Sequence, residues 1–349
     1  MRQCFSIGLF ALLVLSLPGC GGFRDTKPQL PGNLDTLCMP DYASGFEMYR
    51  YDSSTLLRIV NPWQGADSVS QWVFLSRDDE KPPKGFAGET IDVPVRRIVC
   101  MSSSYVAFLE ALGADSTICA ISGTGYIWSD KVRNRIAGGE IAEAGFDNSL
   151  NFEKLVALKP DVVFLYGLTG KNAVTDKLHE LGLKTVYIGD YVENNPLGRA
   201  EWITVFGEFT GRRELARTLF DSISNEYNRA KALVSGVEKR PEVMLNAPWQ
   251  DSWFVPGDRS YMVRLLEDAG GNYACRGVDS DQSRPISTET AFVAASQSDF
   301  WLSPGTATSL AELNAMNPRF GSIPPVRNGN VYNNNARTTP EGGSDFWES

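Results

Sequence analysis

Aromatic and cationic side chains gather at two places in this sequence where binding chemistry could be done. Tyr126 and Trp128 fall close together, and Trp249, Trp253 and Phe254 cluster around Pro248 and Pro256-Gly257. Flat rings of this kind desolvate the face of a large ligand without reacting with it. Arg259 stands beside the tryptophans, Arg284 lies further on, and Arg133 and Arg135 follow Trp128. Guanidinium groups pair with carboxylates or phosphates, so they would supply the polar part of such a site. Ser102, Ser103 and Ser104 offer hydroxyls and, at a helix start, backbone amides. Each feature has a plainer alternative. The rings could plug loop ends against their own lobe, the arginines could be solvated, and the serines could cap a helix.

Covalent and metal chemistry have little material. The only histidine is His179, so a mechanism that needs a histidine base or several imidazole ligands has almost no raw material, and a free transition metal is a poor ligand candidate. With Asp176 and Glu180 nearby, it reads as a solvated or partly packed side chain. No G-x-S-x-G motif or phosphate loop occurs, and Gly123-Thr-Gly125 and Gly138-Gly139 are too short for a dinucleotide fingerprint. No catalytic residue, resident cofactor or metal is expected, and the chain is not read as an enzyme. With 33 Lys+Arg against 42 Asp+Glu, the net charge is −9, so the basic footprint for phosphate backbones is missing and nucleic acid is not a partner.

The elements that must hold these residues follow a secretion signal. Arg2, an apolar run from Phe5 to Leu17 and Leu17-Pro18-Gly19-Cys20 form a leader over 1–19 of the lipoprotein kind, with Cys20 as the lipidated first mature residue. The run is too short to span a bilayer. The alternative is an ordinary cleaved leader with an incidental cysteine. Residues 20–35, rich in Gly and Pro, read as a tether. Cys38, Cys100, Cys119 and Cys275 remain, and a Cys100–Cys119 disulfide and two buried thiols stay open as alternatives.

Over 36–95, short β-like runs at 46–51, 56–60 and 71–75 predict an antiparallel extension. From 96 the period lengthens. Strands at 97–101, 117–121, 162–166 and 184–188 alternate with helices at 104–112, 152–158 and 173–181, the pattern of a parallel sheet flanked by helices. Leu215, Leu219, Phe220, Ile223, Tyr227, Ala230 and Leu233 then recur three or four apart and predict one long helix over 212–234. The β-then-α order restarts with a strand at 242–246, helices at 261–269 and after Thr288, and a strand at 300–302. The fold class is therefore α/β: two α/β lobes with parallel sheets, 96–198 and 239–349, joined by a helical connector over 199–238, plus the β-rich N-terminal extension.

In this order, Arg97-Ile-Val-Cys-Met-Ser-Ser-Ser104 with its helix to Ala114, Asn151-Phe-Glu-Lys-Leu-Val-Ala-Leu-Lys-Pro-Asp161, and Ser260-Tyr-Met-Val-Arg-Leu-Leu-Glu-Asp-Ala-Gly-Gly271 resemble the substrate-binding proteins of ABC importers for ferric siderophores, heme and cobalamin. The likeness covers roughly 96–349 and leaves 36–95 outside the family core, without a role. The resemblance implies a monomeric, lipid-anchored receptor on the periplasmic or cell-surface side of a bacterial membrane. It would capture an iron complex, a ferric siderophore or heme, between its lobes and deliver it to a permease and its ATPase. A corrinoid is the alternative ligand. A secreted enzyme or a permease-independent surface lipoprotein is the alternative of another class. The resemblance also implies that Ser103, Ser104, Tyr126, Trp128, Trp249, Trp253, Phe254, Arg259 and Arg284 contact the ligand. Glu153 and Glu289, each in a first helical turn, would dock on permease arginines; the alternative is that both simply suit their helix dipoles. One departure stands out: relatives continue past a segment like Gly343–Glu348 into a final helix, so that sheet face is expected to have less cover.

Overall fold

Strand and helix signals alternate along most of the chain, and in space they become two parallel sheets with a third sheet laid against the first. The computed structural model describes residues 35–146, 149–167, 173–249, 252–277 and 279–345; the leader and Cys20 lie outside them. In the extension, β1 (Asp35–Cys38), β2 (Phe46–Tyr51), β3 (Ser54–Val60), β4 (Ser70–Ser76) and β5 (Glu89–Asp92) pair in that order. The pairs are antiparallel as expected, except that β5 runs parallel to β4. Strand alternation sends Leu57, Ile59, Val73 and Leu75 to one face, while Leu56, Trp72 and Phe74 go to the other under Tyr49, Tyr51 and Phe86.

The N lobe is built from β6 (Ile98–Cys100), α1 (Ser103–Ala111), β7 (Ile118–Ile121), α2 (Asp130–Ala137), β8 (Ala142–Glu143), α3 (Phe152–Leu158), β9 (Val162–Leu165), α4 (Ala173–Glu180) and β10 (Thr185–Tyr187). Its five strands are parallel in the order β10-β9-β6-β7-β8. Next come α5 (Pro196–Glu201), α6 (Ile203–Thr210) and the rod α7 (Arg213–Leu233). The C lobe follows as β11 (Glu242–Leu245), β12 (Pro248–Trp249), β13 (Ser252–Val255), α8 (Tyr261–Asp268), β14 (Asn272–Tyr273), β15 (Arg284–Ser287), α9 (Thr288–Ser296), β16 (Phe300–Leu302), α10 (Leu310–Met316), α11 (Pro324–Arg327) and β17 (Val331–Tyr332). Strands β14-β11-β16-β17 form its parallel sheet, and β12-β13-β15 form an antiparallel ribbon beside it.

Almost every residue of α6 is buried because the helix lies between two sheets. Ile203, Val205, Phe206 and Phe209 share one core with Phe46, Leu57 and Val73 of the extension and with Ile98, Tyr105 and Phe164 of the N lobe. The core is thus continuous across residue 95. Three carboxylates fasten the extension further. Glu201 accepts the backbone N–H groups of Asp41, Tyr42 and Ala43 at 2.8–2.9 Å. Glu193 accepts those of Ser44 and Gly45 together with the Trp202 indole N–H. Glu208, almost fully buried, binds Thr55 Oγ1 at 2.9 Å, Arg77 and Arg213. The side-chain amide of Gln71 in β4 donates to Thr185 O at 2.8 Å and accepts from Tyr187 N at 2.9 Å. It thereby occupies groups that the edge strand β10 would leave open.

The rod forms as expected, and the cysteine alternatives resolve to free thiols. Only Ala216 and Phe220 of α7 are buried, while Leu215, Ile223 and Leu233 are exposed, because just the first half of the rod lies against the N lobe. Its far half is tied to the C lobe by polar bonds instead: Tyr227 Oη donates to Asp268 at 2.9 Å and Lys231 Nζ pairs with the same residue at 2.7 Å. Cys100 and Cys119 are free, buried thiols, and burial pushes both above the ordinary thiol range. His179 sits near Thr185 Oγ1 at 2.7 Å and Glu89 at 3.3 Å, a partly packed side chain at the extension seam.

Candidate ligand cleft

Open parallel sheets bind ligands beyond the carboxyl ends of their strands, and contacts between the lobes gather beside those ends of the N lobe, where Arg199 reaches Tyr261 and Thr339 reaches Gly125. Cys100 of β6 leads through Met101 into Ser102, Ser103 and Ser104, all half-buried. Ser102 occupies the cap position of α1 without a capping bond; its hydroxyl lies 3.0 Å from Ser104 Oγ instead. Tyr126 follows β7 on a loop held by Glu143, whose carboxylate accepts the N–H groups of Gly123 at 2.9 Å and Thr124 at 2.7 Å. Burial works to raise the Glu143 carboxyl, but these bonds and that from Gly145 outweigh it and hold the group below its usual range.

Tyr126 is 45% exposed and meets Phe146 edge-on at 6.4 Å. Trp128 is half-buried, with the Arg337 guanidinium 5.9 Å from its ring. The segment carrying Arg337 runs on from β17 and crosses to the N lobe. Thr339 Oγ1 donates to Gly125 O at 2.9 Å, and Gly343 lies so close to the Tyr126 backbone that a Cβ there would clash. The seam is therefore closed beside Tyr126 by the chain's own C-terminal segment.

On the C-lobe side the expected wall divides. Trp253 is fully buried, donating its indole N–H to Leu245 O at 3.2 Å and packing on Trp301, Phe292 and Phe320. It is a core residue with no surface to offer a ligand, which corrects the expectation for it. Phe254, next in β13, is 42% exposed because neighbouring strand residues face opposite ways. The backbone of Trp249 pairs with Ser252, and its side chain lies outside the described residues. Arg259 pairs with Asp279 at the surface, Arg133 with Asp130 and Arg135 with Glu140. Arg284 is exposed on β15 opposite Val255. Glu153 and Glu289 both stand exposed in first helical turns, and Glu289 is ion-paired with Arg319 at 3.0 Å.

A second polar-aromatic group at the same strand ends went unnoticed in the sequence. Tyr166 directly follows β9 and Tyr191 lies just past β10, and their ring centroids are 4.3 Å apart. Arg199 of α5 donates to the carbonyl oxygens of Asp190 at 3.1 Å and Tyr191 at 2.9 Å. Its guanidinium carbon sits 4.3 Å from the ring of Tyr261, the first residue of α8, so a cation–π contact bridges the lobes. Asp190 is 2% exposed, and its Oδ1 has no partner among the described residues. Burial pushes its carboxyl up to about 6 against the pull of the Arg199 charge and the Ser104 hydroxyl. Burial, aided by Tyr191 and Asp190, likewise pushes Tyr166 up to about 12, and it raises Tyr191 and Tyr261. The phenols therefore stay protonated at neutral pH, and Tyr191 Oη donates its proton to Gly167 O at 2.8 Å. Tyr166 and Tyr191 were accessible to sequence reasoning, since the first directly follows one apolar strand run and the second lies four residues past another. Among the described residues no group of His, Cys, Asp and Glu could hold a metal ion. Two phenols tilted at 46°, one buried carboxyl and one committed guanidinium thus meet at these strand ends.

Comparison with known proteins gives this geometry a context. The sequence profile described as periplasmic binding protein matches residues 98–338. An uncharacterized lipoprotein of Methanocaldococcus jannaschii is 26% identical over 366 aligned positions, which cover 95% of this chain and 87% of the relative. The periplasmic heme binding protein HutB of Vibrio cholerae superposes with a TM-score of 0.57 at 18% identity, over 70% of this chain and 92% of its own. The periplasmic vitamin B12 binding protein BtuF of Vibrio cholerae superposes with a TM-score of 0.52 at 13% identity, over 70% and 89%.

Proposed function

This chain belongs to the periplasmic binding protein family, and on that premise we propose that it is the lipid-anchored receptor of an ABC importer for a metal chelate. The ligand is an iron complex, a ferric siderophore or heme, held between the lobes. The observation that carries the reading is the meeting of Tyr166 and Tyr191, past the strand ends of one lobe, with Tyr261, at the start of α8 in the other, bridged by Arg199. Rings desolvate the faces of a chelate, and the neutral Tyr166 phenol hydrogen-bonds its donor atoms without displacing the metal. Capture and release need no covalent step. The rod α7, 21 residues long, spans about 30 Å at ~1.5 Å per residue and fixes the spacing of the lobes. Release then depends on the permease pulling them apart.

A corrinoid is the second reading, favoured by one specific observation. Arg133, Arg135 and Arg259 are already paired with acids, so the site makes no strong demand for an anionic ligand. Anchoring at Cys20 places the receptor on the outer face of its membrane, as the lipoprotein name of the archaeal relative supports. Glu153 and Glu289 are the proposed permease contacts, with Glu289 exchanging Arg319 for a permease arginine.

Titration of the purified mature protein with hemin, a ferric tris-catecholate and cyanocobalamin tests the reading, followed by visible absorbance and tryptophan quenching. Saturable binding of one of them at micromolar Kd or tighter supports it, and binding of none overturns it. In cells, Glu153→Ala with Glu289→Ala should abolish uptake while Kd stays unchanged; a loss of binding would show that these acids belong to the ligand site.

A further inference from the structure

The loop between β3 and β4, residues 61–69, belongs to the extension and lies outside the segment matched by the family, yet it ends on the strand tips of the N lobe. Three contacts bring it there. The Trp63 ring packs edge-on against Tyr187, the last residue of β10, at 5.2 Å. Gly167, two residues beyond β9, faces the same indole so closely that a Cβ there would meet its atoms at 3.2 Å, and at Gly189 a Cβ would meet Pro62 Cα at 3.1 Å. Gln64 N donates to Tyr191 Oη at 3.3 Å, while that hydroxyl donates to Gly167 O at 2.8 Å. Two glycines on neighbouring strand ends thus admit the loop, and Tyr191, whose ring packs at a tilt against Tyr166, is held in place by it. Trp63 is only half-buried and Gln64 is exposed, so the loop keeps free surface at the seam.

We propose that this loop is a ligand-selecting wall of the cleft, with Trp63 as its contact residue. The inference rests on the receptor reading above and deepens it. An indole placed over Gly167 beside the Tyr166–Tyr191 pair narrows that side of the site to a slot lined by uncharged rings. Such a slot accepts the flat face of a conjugated macrocyclic chelate and crowds out a globular, highly charged one, because rings stack on flat apolar faces and leave buried charge unpaired. The extension therefore selects the ligand, in addition to bracing the lobe.

The test compares full mature wild type with Trp63→Ala, Trp63→Phe and, as a control on the opposite face of the same sheet, Phe86→Ala. Hemin, cyanocobalamin and a ferric tris-catecholate are titrated against each. Trp63→Ala should weaken hemin, whose porphyrin face is flat, about tenfold, a change of roughly 1.4 kcal/mol, while cyanocobalamin, with axial ligands over both corrin faces, and the tris-catecholate change less than about threefold or bind better. Trp63→Phe should restore most of the hemin affinity, and Phe86→Ala should leave all three Kd values in place. An unchanged ratio between ligand classes in Trp63→Ala overturns the inference alone, as does a uniform loss that follows a fall in Tm. A wild-type protein that binds none of the three overturns the receptor reading and this inference together.

Discussion

The two lobes carry similar parallel sheets and hold their interiors by different means. In the N lobe, Glu193, Glu201 and Glu208 reach roughly 150 residues along the chain to grip the extension, and one core runs through both. The C lobe depends on a block of rings, Trp253, Trp301, Phe292 and Phe320, packed 5.1–6.2 Å apart. A charged clamp fixes position, since any displacement leaves a buried charge without its partner. A ring block supplies bulk whose loss leaves a void. The N lobe is thus held to a neighbouring sheet by polar clamps, whereas β13 of the C lobe turns the Trp253 ring inward and leaves Phe254 exposed.

The largest effects should come from breaking each device in turn. Trp253→Ala should cost about 3–5 kcal/mol through the void it leaves, with lost hydrogen-exchange protection confined to β11, β13 and β16. Glu208→Ala should cost about 3–5 kcal/mol by stranding the Arg77 and Arg213 guanidinium groups. Its loss of protection should fall on β3, β4 and α6. Equal loss across both lobes from either change would break the comparison, since it would make the two interiors one cooperative unit.

A weaker and pH-dependent effect sharpens the N-lobe half. Asp190 is raised from its ordinary 3.8 to about 6 mainly by burial, so the folded state favours its neutral form. That preference stabilises the fold fully below about pH 4 and is lost as pH rises through about 6, a swing on the order of 3 kcal/mol. Asp190→Asn should abolish this component. The stability difference between variant and wild type, followed by urea unfolding from pH 4 to 8, should grow in favour of the variant as pH rises. A difference that stays flat over that range would mean that the carboxylate is compensated at the seam.

Periods of two and 3.6 separate cleanly in the βαβ alternation and in α7, which is why both lobes and the rod were readable from sequence. The clamps were not, because a glutamate and the amides it caps lie in distant segments and nothing local marks them. Trp253 and Phe254 show a different limit. Adjacent residues of one strand face opposite ways, so they could never share a wall, but four residues cannot say which of them turns inward. For Tyr166 and Tyr191 the signal was present, a tyrosine shortly past each apolar strand, and the more conspicuous tryptophans overshadowed it. The extension's contact with Tyr187 and Tyr191 depends on tertiary packing across more than 120 residues, beyond the reach of any pattern.

The smallest effect probes where the two regions meet. Arg199 is held by carbonyl groups of the N lobe and covers Tyr261 of the C lobe. A partly exposed cation–π contact is worth about 0.5–1 kcal/mol, too little to hold the fold and enough to bias the spacing of lobes already joined by a rod. Tyr261→Leu should therefore lower stability by less than about 1 kcal/mol and yet raise the ligand off-rate severalfold, read by stopped-flow quenching. Arg199→Lys should do the same, because a lysine keeps the charge but cannot span two carbonyls and a ring at once. If the off-rate stays fixed while stability falls, the contact only braces the lobes, and control of release rests with the rod and the crossing C-terminal segment.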